Sequence, residues 1–381
     1  MKILHCCLSS FYIDGYSYQE NILPRFNLLH GHDVEIIAST ETFDDKGHLT
    51  YIQPSSYQTE EGIPIIRVPY KKFLPNVVMR KFRSYKGVYK LISEFEPDVI
   101  LFHGGCAYEL LNVVNYRKKH SNVKLYVDSH ADYHVSAKNW LSKKILHEVF
   151  YRTIIHKCIS YIEKVFYITE ETKDFFIQEY KISEQLMEYY PLGGEVVEEE
   201  EKRKWREHIR KQHQIDESTL VVMHSGKLDQ RKETDVLIKG FSKVQSDNVL
   251  LFIAGNIPPE NEKLWDYINS DTRIKWLGWL NADDLRHYLC ACDIYAQPGG
   301  QSITMQNAVC CGVPVMIYPH KSHLKLCKDN VMWVKNEDDI YNEITKVLIN
   351  PELLEKMSNA SMKIAREVLD YHILAARIER Q

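Results

Sequence analysis

Short apolar runs alternate with segments of helical spacing along the whole chain. In the first half, six runs have the length and the polar flanks of buried strands, at residues 2–8, 33–38, 64–68, 98–102, 124–128 and 164–168. Segments with helical spacing lie between them, among them 19–29, 85–95 and 143–161. Buried strands that alternate with helices predict a parallel sheet covered by helices.

The same alternation restarts after a break near residues 191–194, which a charge-rich run at 195–210 follows as a linker and helix. Strands are expected at 219–224, 248–254, 273–277, 294–297 and 314–318, with helices at 233–244, 282–291, 304–311 and 351–381. A chain of 381 residues fits two domains of ordinary size. We therefore predict two α/β domains, 1–193 and 194–365, followed by a C-terminal helix at 366–381.

Composition excludes some classes of protein. Hydrophobic residues make up 44% of the chain, charged residues 26%, and the net charge is -4, so we expect a globular protein that does not bind nucleic acid. Nine cysteines, several inside apolar runs, predict buried thiols in a reducing compartment. No apolar run approaches the roughly 18 residues that span a bilayer, and the first run predicts a strand rather than a signal peptide. These features predict a cytoplasmic or peripheral protein.

A turn with two glycines precedes the expected helix at 304–311. Gly299 and Gly300 let a ligand approach the backbone closely, Ser302 can cap the helix, and Gly312 can end it. The free N–H groups and positive dipole end of a helix favour anions. The alternative is an ordinary strand, turn and helix of an α/β domain.

A basic loop follows the expected strand at 219–224. Gly226 permits a tight turn, and Lys227 and Lys232 bracket the loop before the next helix. Two ammonium groups over such a turn can neutralise a diphosphate. A solvated basic loop is the alternative.

Carboxylates and imidazoles alternate after the expected strand at 124–128. Asp128, His130, Asp132 and His134 occupy every second position and would share one face if the backbone were extended. That pattern permits a metal site, and it also occurs in surface loops. His103 follows another expected strand, at the edge where cleft residues gather.

Together the segments resemble the retaining GT-B glycosyltransferases of family 4. The glycine and basic loop of that family is similar to Gly226, Lys227, Leu228 and Lys232, its Leu-Gly strand end to 276–279, and its Ala-x-x-x-Gly-x-Pro-Val motif to 308–315. In the first half, 15–24 and 30–34 look like the family's first loop, helix and second strand. Residues 190–194 are similar to its interdomain segment.

The resemblance implies a GT-B fold, with two Rossmann-like domains that face each other across a deep cleft. The first domain would bind the acceptor, the second would bind the nucleotide-sugar donor, and helix 366–381 would pack back on the first. The implied reaction moves a sugar, with retention, from a nucleoside-diphosphate sugar to a glycan or lipid-linked acceptor. Bacterial surface polysaccharide or glycoconjugate synthesis is the expected setting, without a cofactor or metal ion.

The resemblance also assigns roles to residues. His130 would face the donor sugar, in preference to the metal alternative, and Lys227 and Lys232 would stabilise the departing diphosphate. The donor-binding residues are expected to be Gly226, Asn256, Leu277, Gly278, Trp279, Gly299, Gly300, Gln301, Ser302, Ile303, Thr304 and Asn307. The acceptor side is expected to include Gly15, Tyr16, His103, Asp128 and Asp132.

The chain departs from the family at two glutamates, which fall on Gly299 and Asn307. Asn307 retains hydrogen-bonding capacity for a ribose hydroxyl, whereas sugar contacts must come from neighbours such as Gln301 or Thr304. The departures keep two alternatives open, a sugar-nucleotide epimerase of the same fold and an inactive nucleotide-sugar-binding protein.

A basic and apolar stretch spans residues 70–90, with seven lysines and arginines and no acidic residue. Such a mixture suits contact with an anionic membrane surface, which would place the protein at the inner face of the plasma membrane. A solvated basic helix is the alternative.

Overall fold

A computed structural model of the protein describes residues 1–44, 48–131, 133, 140 and 142–379. Two compact units divide the chain, Met1–Pro191 together with Leu374–Gln381, and Leu192–Ile373. The first boundary falls after Pro191, whereas the sequence analysis placed it after residue 193. Residues 366–373 were predicted to belong to the tail helix, but they belong to the second unit.

The first unit is built around an eight-stranded sheet. The strands of this unit are β1 (Lys2–Cys7), β2 (Asp33–Ser39), β3 (Glu41–Phe43), β4 (Leu49–Tyr51), β5 (Ser56–Gln58), β6 (Pro64–Val68), β7 (Val99–Phe102), β8 (Lys124–Ser129), β9 (Lys164–Tyr167) and β10 (Met187–Tyr189). Its helices are α1 (Gln19–Leu29), α2 (Asn76–Phe82), α3 (Val88–Phe95), α4 (Leu110–Lys119), α5 (Arg152–Cys158) and α6 (Glu170–Tyr180). The strand order is β10-β9-β8-β7-β1-β2-β6-β5, parallel except for β5, while β3 and β4 pair separately.

The second unit contains a six-stranded parallel sheet. Its strands are β11 (Leu220–Ser225), β12 (Val249–Ala254), β13 (Ile274–Gly278), β14 (Ile294–Gln297), β15 (Val315–Ile317) and β16 (Val331–Trp333), in the order β13-β12-β11-β14-β15-β16. The helices that follow α6 are α7 (Glu199–Gln212), α8 (Thr234–Ser242), α9 (Leu264–Asn269), α10 (Ala282–Ala291), α11 (Ile303–Cys310), α12 (Lys321–Leu326), α13 (Glu337–Ile349), α14 (Glu352–Ile364) and α15 (Tyr371–Glu379).

Both faces of the second sheet are covered, which explains the unbroken apolar runs. Every residue of β11 and β12 is buried. Along β12, Leu250 and Phe252 pack into one core, and Leu251 and Ile253 pack into the core on the opposite face. Strands buried on both faces lose the alternation of polar and apolar residues. The predicted α/β class is confirmed.

Three predicted helices differ from the observed ones. The helix expected at 85–95 begins only at Val88, because Gly87 before it has a left-handed φ of 76°. The helix expected at 143–161 opens with a π-helical segment, Ser142–Tyr151. The helix expected at 351–381 breaks at Asp370, which forms a parallel bridge with Gly194 in place of a helical turn.

All nine cysteines lie within the described ranges, where each is buried and free, so the predicted buried thiols are confirmed. Across the described part of the chain, no helix has both the length and the apolar character that a membrane span requires.

Candidate functional site

Each sheet has a point where the strand order reverses, and the segments selected from the sequence follow the strands at these two points. In the first unit the reversal lies between β1 and β7, and in the second unit between β11 and β14. Ligands of doubly wound sheets bind beyond the carboxyl ends of the strands at such a switch point. His103 follows β7, Gly226 follows β11, and Gly299 follows β14.

In the second unit the two loops at the switch point contact each other through their backbones. The Gly300 N–H donates to the Arg231 carbonyl at 2.6 Å, and the Gln297 side chain donates to the Gly300 carbonyl at 2.6 Å. A Cβ on Gly299 would lie 2.2 Å from the Arg231 oxygen and 2.7 Å from the Lys232 carbonyl carbon. The space into which a Gly299 Cβ would project is therefore filled by the neighbouring loop, which gives this glycine a steric reason that the sequence analysis did not identify. It also excludes the family's glutamate at this position.

Lys232 extends across the same junction. Its Nζ lies 3.4 Å from the carbonyl oxygens of Gly300 and Gln301, and its Cε would be 3.3 Å from a Cβ on Gly226. Burial lowers the pKa of Lys232. Lys227 is exposed on the turn that Gly226 begins with a φ of 140°. The structure thus brings Gly226, Lys232, Gly300 and Gln301 together.

Helix α11 begins beside this junction. Ser302 Oγ accepts from the Thr304 N–H at 3.2 Å, which confirms the predicted cap, and Gly312 follows the helix with a φ of 63°. Thr304 is buried, and Ile303 and Asn307 are half-buried. The Asn307 Oδ1 lies 3.2 Å from the position that a Cβ on Gly194 would occupy.

The remaining predicted donor residues lie on the turn after β12, at the end of β13 and directly after β13. The Gly278 carbonyl accepts from the Gly255 N–H at 2.7 Å, and the Asn256 carbonyl accepts from the Leu228 N–H at 3.0 Å. Leu277 is half-buried, and Trp279 is 68% exposed. These backbone bonds tie both turns to the loop that carries Lys227.

In the first unit, Asp128 is the centre of a buried polar cluster. Its Oδ2 lies 2.5 Å from His103 Nδ1, and its Oδ1 accepts from the Gly104 N–H at 2.6 Å. Burial alone would raise the pKa of Asp128, but the charges of His103 and His130 outweigh it and hold that pKa well below its usual range. The cluster therefore holds an ionised carboxylate.

His130 lies between two carboxylates. Its Nε2 is 3.5 Å from Asp128 Oδ1 and 3.7 Å from Glu20 Oε1. Burial alone would lower the pKa of His130, but Glu20 and then Asp128 raise it to about 9. The imidazole is therefore a cation at neutral pH. The sequence analysis did not identify Glu20 as its partner, because Glu20 is 110 residues away in α1 and its burial is visible only in the structure.

A series of hydrogen bonds connects Asp128 to Glu379 in α15. His103 Nε2 lies 3.0 Å from His5 Nδ1, and His5 Nε2 lies 3.0 Å from Asn27 Oδ1. Asn27 Nδ2 donates to Glu379 Oε1 at 2.6 Å. Burial and then the charge of His103 lower the pKa of His5 to about 3, so that His5 is neutral. The sequence analysis missed His5 and Asn27, whose positions predicted core residues.

A cavity of about 320 Å³ opens beside His130. Part of its lining is basic, and the residues that matter here are Glu41, Arg80, Lys81, Arg83, Gly104 and His130. Arg83 Nη1 donates to Ser9 Oγ at 2.6 Å and to the Cys106 carbonyl at 3.0 Å. The basic stretch at 70–90 thus supplies the cavity wall, and it does not form one continuous helix.

The other predicted acceptor residues lie apart from this cluster or outside the described residues. Gly15 has a φ of 76°, and the Tyr16 ring packs near Tyr18 and Phe43. Asp132 and His134 lie outside the described residues. Within the described ranges, no group of three or more His, Cys, Asp or Glu side chains is arranged to hold a metal ion.

Part of the chain matches a known protein family, and its fold is similar to several solved structures. Residues 206–364 match the family described as Glycosyl transferases group 1. No curated protein matches the chain by sequence.

Several solved structures are similar over the whole chain. HepE of Anabaena, in complex with UDP and glucose, has 15% identity and a TM-score of 0.66 over 100% of this chain and 98% of its own. Sucrose-phosphate synthase of Thermosynechococcus elongatus has 12% identity and a TM-score of 0.66, covering 100% and 97%. WaaG, a glycosyltransferase involved in lipopolysaccharide biosynthesis, has 15% identity and a TM-score of 0.63, covering 100% of both chains. At these identities the likeness establishes the fold.

Proposed function

We propose that this chain, which has the GT-B fold and matches the group 1 glycosyl transferases over residues 206–364, is a glycosyltransferase that moves a sugar from a nucleoside-diphosphate sugar to a glycan or lipid-linked acceptor. The proposal includes retention of the anomeric configuration, as in the family that the sequence resembles. UDP is the first donor nucleotide to test, because HepE was crystallised with UDP and glucose.

The observation that carries the proposal is the position of Lys232. Its ammonium group reaches the loop before α11 and contacts two carbonyl oxygens there at 3.4 Å. These contacts are long, so a phosphate that displaced them would gain a shorter, charge-assisted bond. Departure of the nucleoside diphosphate places negative charge on its β-phosphate. Lys232, the exposed Lys227 and the N-terminus of α11 would stabilise that charge without a metal ion.

The sugar and ribose contacts require substitutes for the family's glutamates. We assign the ribose hydroxyls to Asn307, whose amide both donates and accepts. Since no side chain fits at position 299, we assign the sugar hydroxyls to Gln301, to Thr304 and to backbone N–H groups. In the first unit, the cationic His130 would contact the transferred sugar.

Peripheral membrane contact is the second part of the proposal. Phe73 and Val77 are 59% and 73% exposed, and they lie close in sequence to the exposed Arg80 and Lys81. Exposed apolar side chains beside cations suit the boundary between lipid headgroups and acyl chains. The protein would then meet its acceptor at the inner face of the plasma membrane.

A panel of nucleoside diphosphates and their sugars tests the donor assignment. One nucleoside diphosphate should raise the melting temperature, because tight ligands stabilise the folded state by mass action. The matching nucleotide sugar should then lose its sugar to an acceptor extract. If no nucleoside diphosphate shifts the melting temperature, the proposal is wrong. A sugar altered without an acceptor would instead indicate an epimerase, and binding without transfer would indicate an inactive binding protein.

A further inference from the structure

The cavity beside His130 contains more cationic groups than its own carboxylates neutralise. Arg80, Lys81, Arg83 and His130 all contribute to its lining, whereas Glu41 is the acidic residue among the described lining residues. Its volume of about 320 Å³ lies at the lower end of the range for small-molecule sites. An anion of small size would therefore be stabilised there.

One buried donor in this lining lacks a hydrogen-bond partner. Arg83 Nε is inaccessible to solvent and has no partner within the described part of the chain. The positive charge of His130, in contrast, already faces the carboxylates of Asp128 and Glu20. Buried polar groups in proteins are almost always paired, and a bound ligand is one explanation for an exception. The unpaired donor belongs to a cation, so the group that completes it must accept a hydrogen bond and carry negative charge.

We propose that this cavity binds a phosphate group of the acceptor, which deepens the proposed function and rests on it. Arg83 would donate from the buried side, and Arg80 and Lys81 would close over the phosphate from the exposed side. The arginine fork matches phosphate oxygens, and a dianion balances the excess of cations better than a neutral sugar. The phosphate can belong to a soluble sugar phosphate or to a lipid-linked acceptor.

Calorimetry on the full chain tests the phosphate site directly. Glycerol 3-phosphate is titrated in the presence of saturating UDP, so that the donor loops are already occupied. The variant Arg80→Gln/Lys81→Gln should weaken binding about tenfold or more, because two charge-assisted contacts are lost. The control Lys86→Gln/Lys90→Gln removes the same charge from exposed positions outside the cavity and should bind as the wild type does.

The outcomes separate this proposal from the donor assignment. Equal loss of affinity in both double variants would overturn the site, because it would indicate non-specific attraction. If Lys232→Ala abolishes the heat of glycerol 3-phosphate binding while Arg80→Gln/Lys81→Gln retains it, the site is also overturned. The phosphate would then occupy the donor loops. If UDP fails to bind, the donor assignment fails, while the titration still decides the cavity.

Two additions complete the design. Phosphatidylcholine vesicles with a polyprenyl monophosphate as the only anionic lipid replace the soluble probe in a second series. Binding to these vesicles that the Arg80→Gln/Lys81→Gln variant loses supports a lipid-linked source, and binding of the soluble probe alone supports a sugar phosphate. If the double variant does not fold, Lys81→Gln alone is measured against Lys90→Gln.

A second inference rests on the hydrogen-bond chain that ends at Glu379. The Glu379 carboxylate accepts hydrogen bonds only, so Asn27 must turn its Nδ2 toward it, at 2.6 Å. Asn27 Oδ1 then faces His5 Nε2 at 3.0 Å, and this nitrogen must donate. A neutral His5 therefore has its lone pair on Nδ1, which accepts from His103 Nε2 at 3.0 Å. His103 thus donates on both sides, the other side being Asp128.

The geometry points to Glu379 as a positioning residue that acts through Asn27 and His5. It fixes His103 as the donor in both of its ring contacts, to His5 and to the Asp128 carboxylate. Asp128 is thereby held ionised and in place beside His130. If Asn27 were free to reverse, His5 would donate to His103, and His103 would need only one proton.

Nitrogen-15 NMR of the histidine side chains in the full chain tests this assignment. His103 should carry a hydrogen on both ring nitrogens, since it donates in both contacts, and His5 should carry one on Nε2 alone. Glu379→Ala should deplete the Nε2 hydrogen of His103, because the remaining acceptor of Asn27 Nδ2, the Ala375 carbonyl at 3.5 Å, makes only a long contact. Glu379→Gln should preserve it, because its amide oxygen still accepts from Asn27. Under the proposed function, kcat should fall in Glu379→Ala with the dissociation constant of UDP unchanged.

A singly protonated His103 in the wild type would overturn the inference, and so would an unchanged His103 in Glu379→Ala. Should Glu379→Ala fail to fold, the wild-type spectrum and the Glu379→Gln variant still decide the hydrogen-bond direction.

Discussion

The two switch points have the same backbone arrangement and different chemistry. In the first unit the loop after β1 bonds to the loop after β7, with the Ser10 N–H donating to the His103 carbonyl at 2.8 Å. In the second unit the corresponding bond joins the loop after β14 to the loop after β11, from the Gly300 N–H to the Arg231 carbonyl at 2.6 Å. A glycine permits each contact, because a Cβ on Gly104 or on Gly299 would meet the opposite backbone at 2.8 or 2.2 Å.

The difference lies in the groups that surround each junction. The first unit surrounds its junction with ionised side chains that bond to one another, including Asp128, His103 and His130. The second unit offers Lys232 and Lys227, while its nearby Asp229 is bonded to Arg231. Even the buried histidines differ in their partners. His224 is neutral, with its pKa lowered by burial to about 4, and its ring bonds a threonine and a carbonyl.

This comparison indicates two ways to prepare a site for charge. A network that is already bonded can orient and hold a cation such as His130. Lys232, whose contacts are long, is instead available to bind an incoming phosphate. Preorganised groups stabilise transition-state charge without reorganisation. The first unit therefore suits positioning, and the second suits binding of the leaving group.

The most disruptive change should be a side chain at position 299. In Gly299→Ala, the added Cβ would lie 2.2 Å from the Arg231 oxygen, so the two loops must separate. We expect the free energy of unfolding to fall by about 1–3 kcal/mol. The melting-temperature shift with nucleoside diphosphate should disappear. The family's glutamate, in Gly299→Glu, should behave in the same way.

The control is Gly300→Ala, whose Cβ would lie 3.4 Å from the same oxygen and should be tolerated. Nucleotide binding that survives in Gly299→Glu but not in Gly300→Ala would contradict the loop contact.

Removal of the Lys232 ammonium should have the next largest effect. Lys232→Ala should lower kcat by about 10²–10³-fold or more with the melting temperature nearly unchanged, because a charge that stabilises the departing diphosphate is lost. Lys239→Ala is the control, since this lysine of α8 pairs with Asp235 and lies over the Tyr267 ring. Near wild-type turnover in Lys232→Ala would remove this lysine from the diphosphate site.

His130 should show a smaller, pH-dependent effect. Its folded pKa of about 9 lies above the roughly 6.5 of an unfolded histidine, so its stabilising contribution is complete below about 6.5. That contribution is lost as the pH rises through about 9. Glu20→Gln removes the larger of the two carboxylate effects and should lower the pKa of His130 by about one unit, as NMR titration can measure.

The matched change on another buried glutamate of the first unit, Glu109→Gln, should leave the His130 titration unaltered. An unshifted His130 in Glu20→Gln would show that Asp128 alone sets its charge.

The sequence was sufficient for elements with a clear periodicity and distinct polar flanks. The bounds of α1, α10, β6 and β14 agree with the predicted ones, because periodicity and flanking polar residues mark such elements clearly. Helix α2 was not predicted as a separate element. Its seven residues expose most of their apolar side chains, and only Met79 is buried. Because burial follows no regular pattern in α2, the hydrophobic periodicity of the sequence does not predict this helix.

The site was predictable only where its residues follow strands. The proximity of Gly226, Lys232 and Gly299 was predictable because parallel strands deliver their carboxyl ends to one edge. Glu379 was not, since it meets Asn27 from 352 residues away and no local pattern encodes that contact. The steric reason for Gly299 was likewise missed, because it depends on where the Arg231 backbone lies.

Asn307 should give the smallest effect and the finest test of the second unit. Asn307→Ala should weaken UDP binding by about 0.5–1.5 kcal/mol, the value of one hydrogen bond to a ribose hydroxyl. The loss should vanish for deoxyribose forms of the nucleotide that lack the contacted hydroxyl, which calorimetry with both ligands can show. Equal losses with ribose and deoxyribose forms would place Asn307 elsewhere. The ribose would then be held by backbone groups alone. In that case the second unit would bind the ribose through main-chain groups, as it forms its loop junction, whereas the first unit surrounds its junction with side chains.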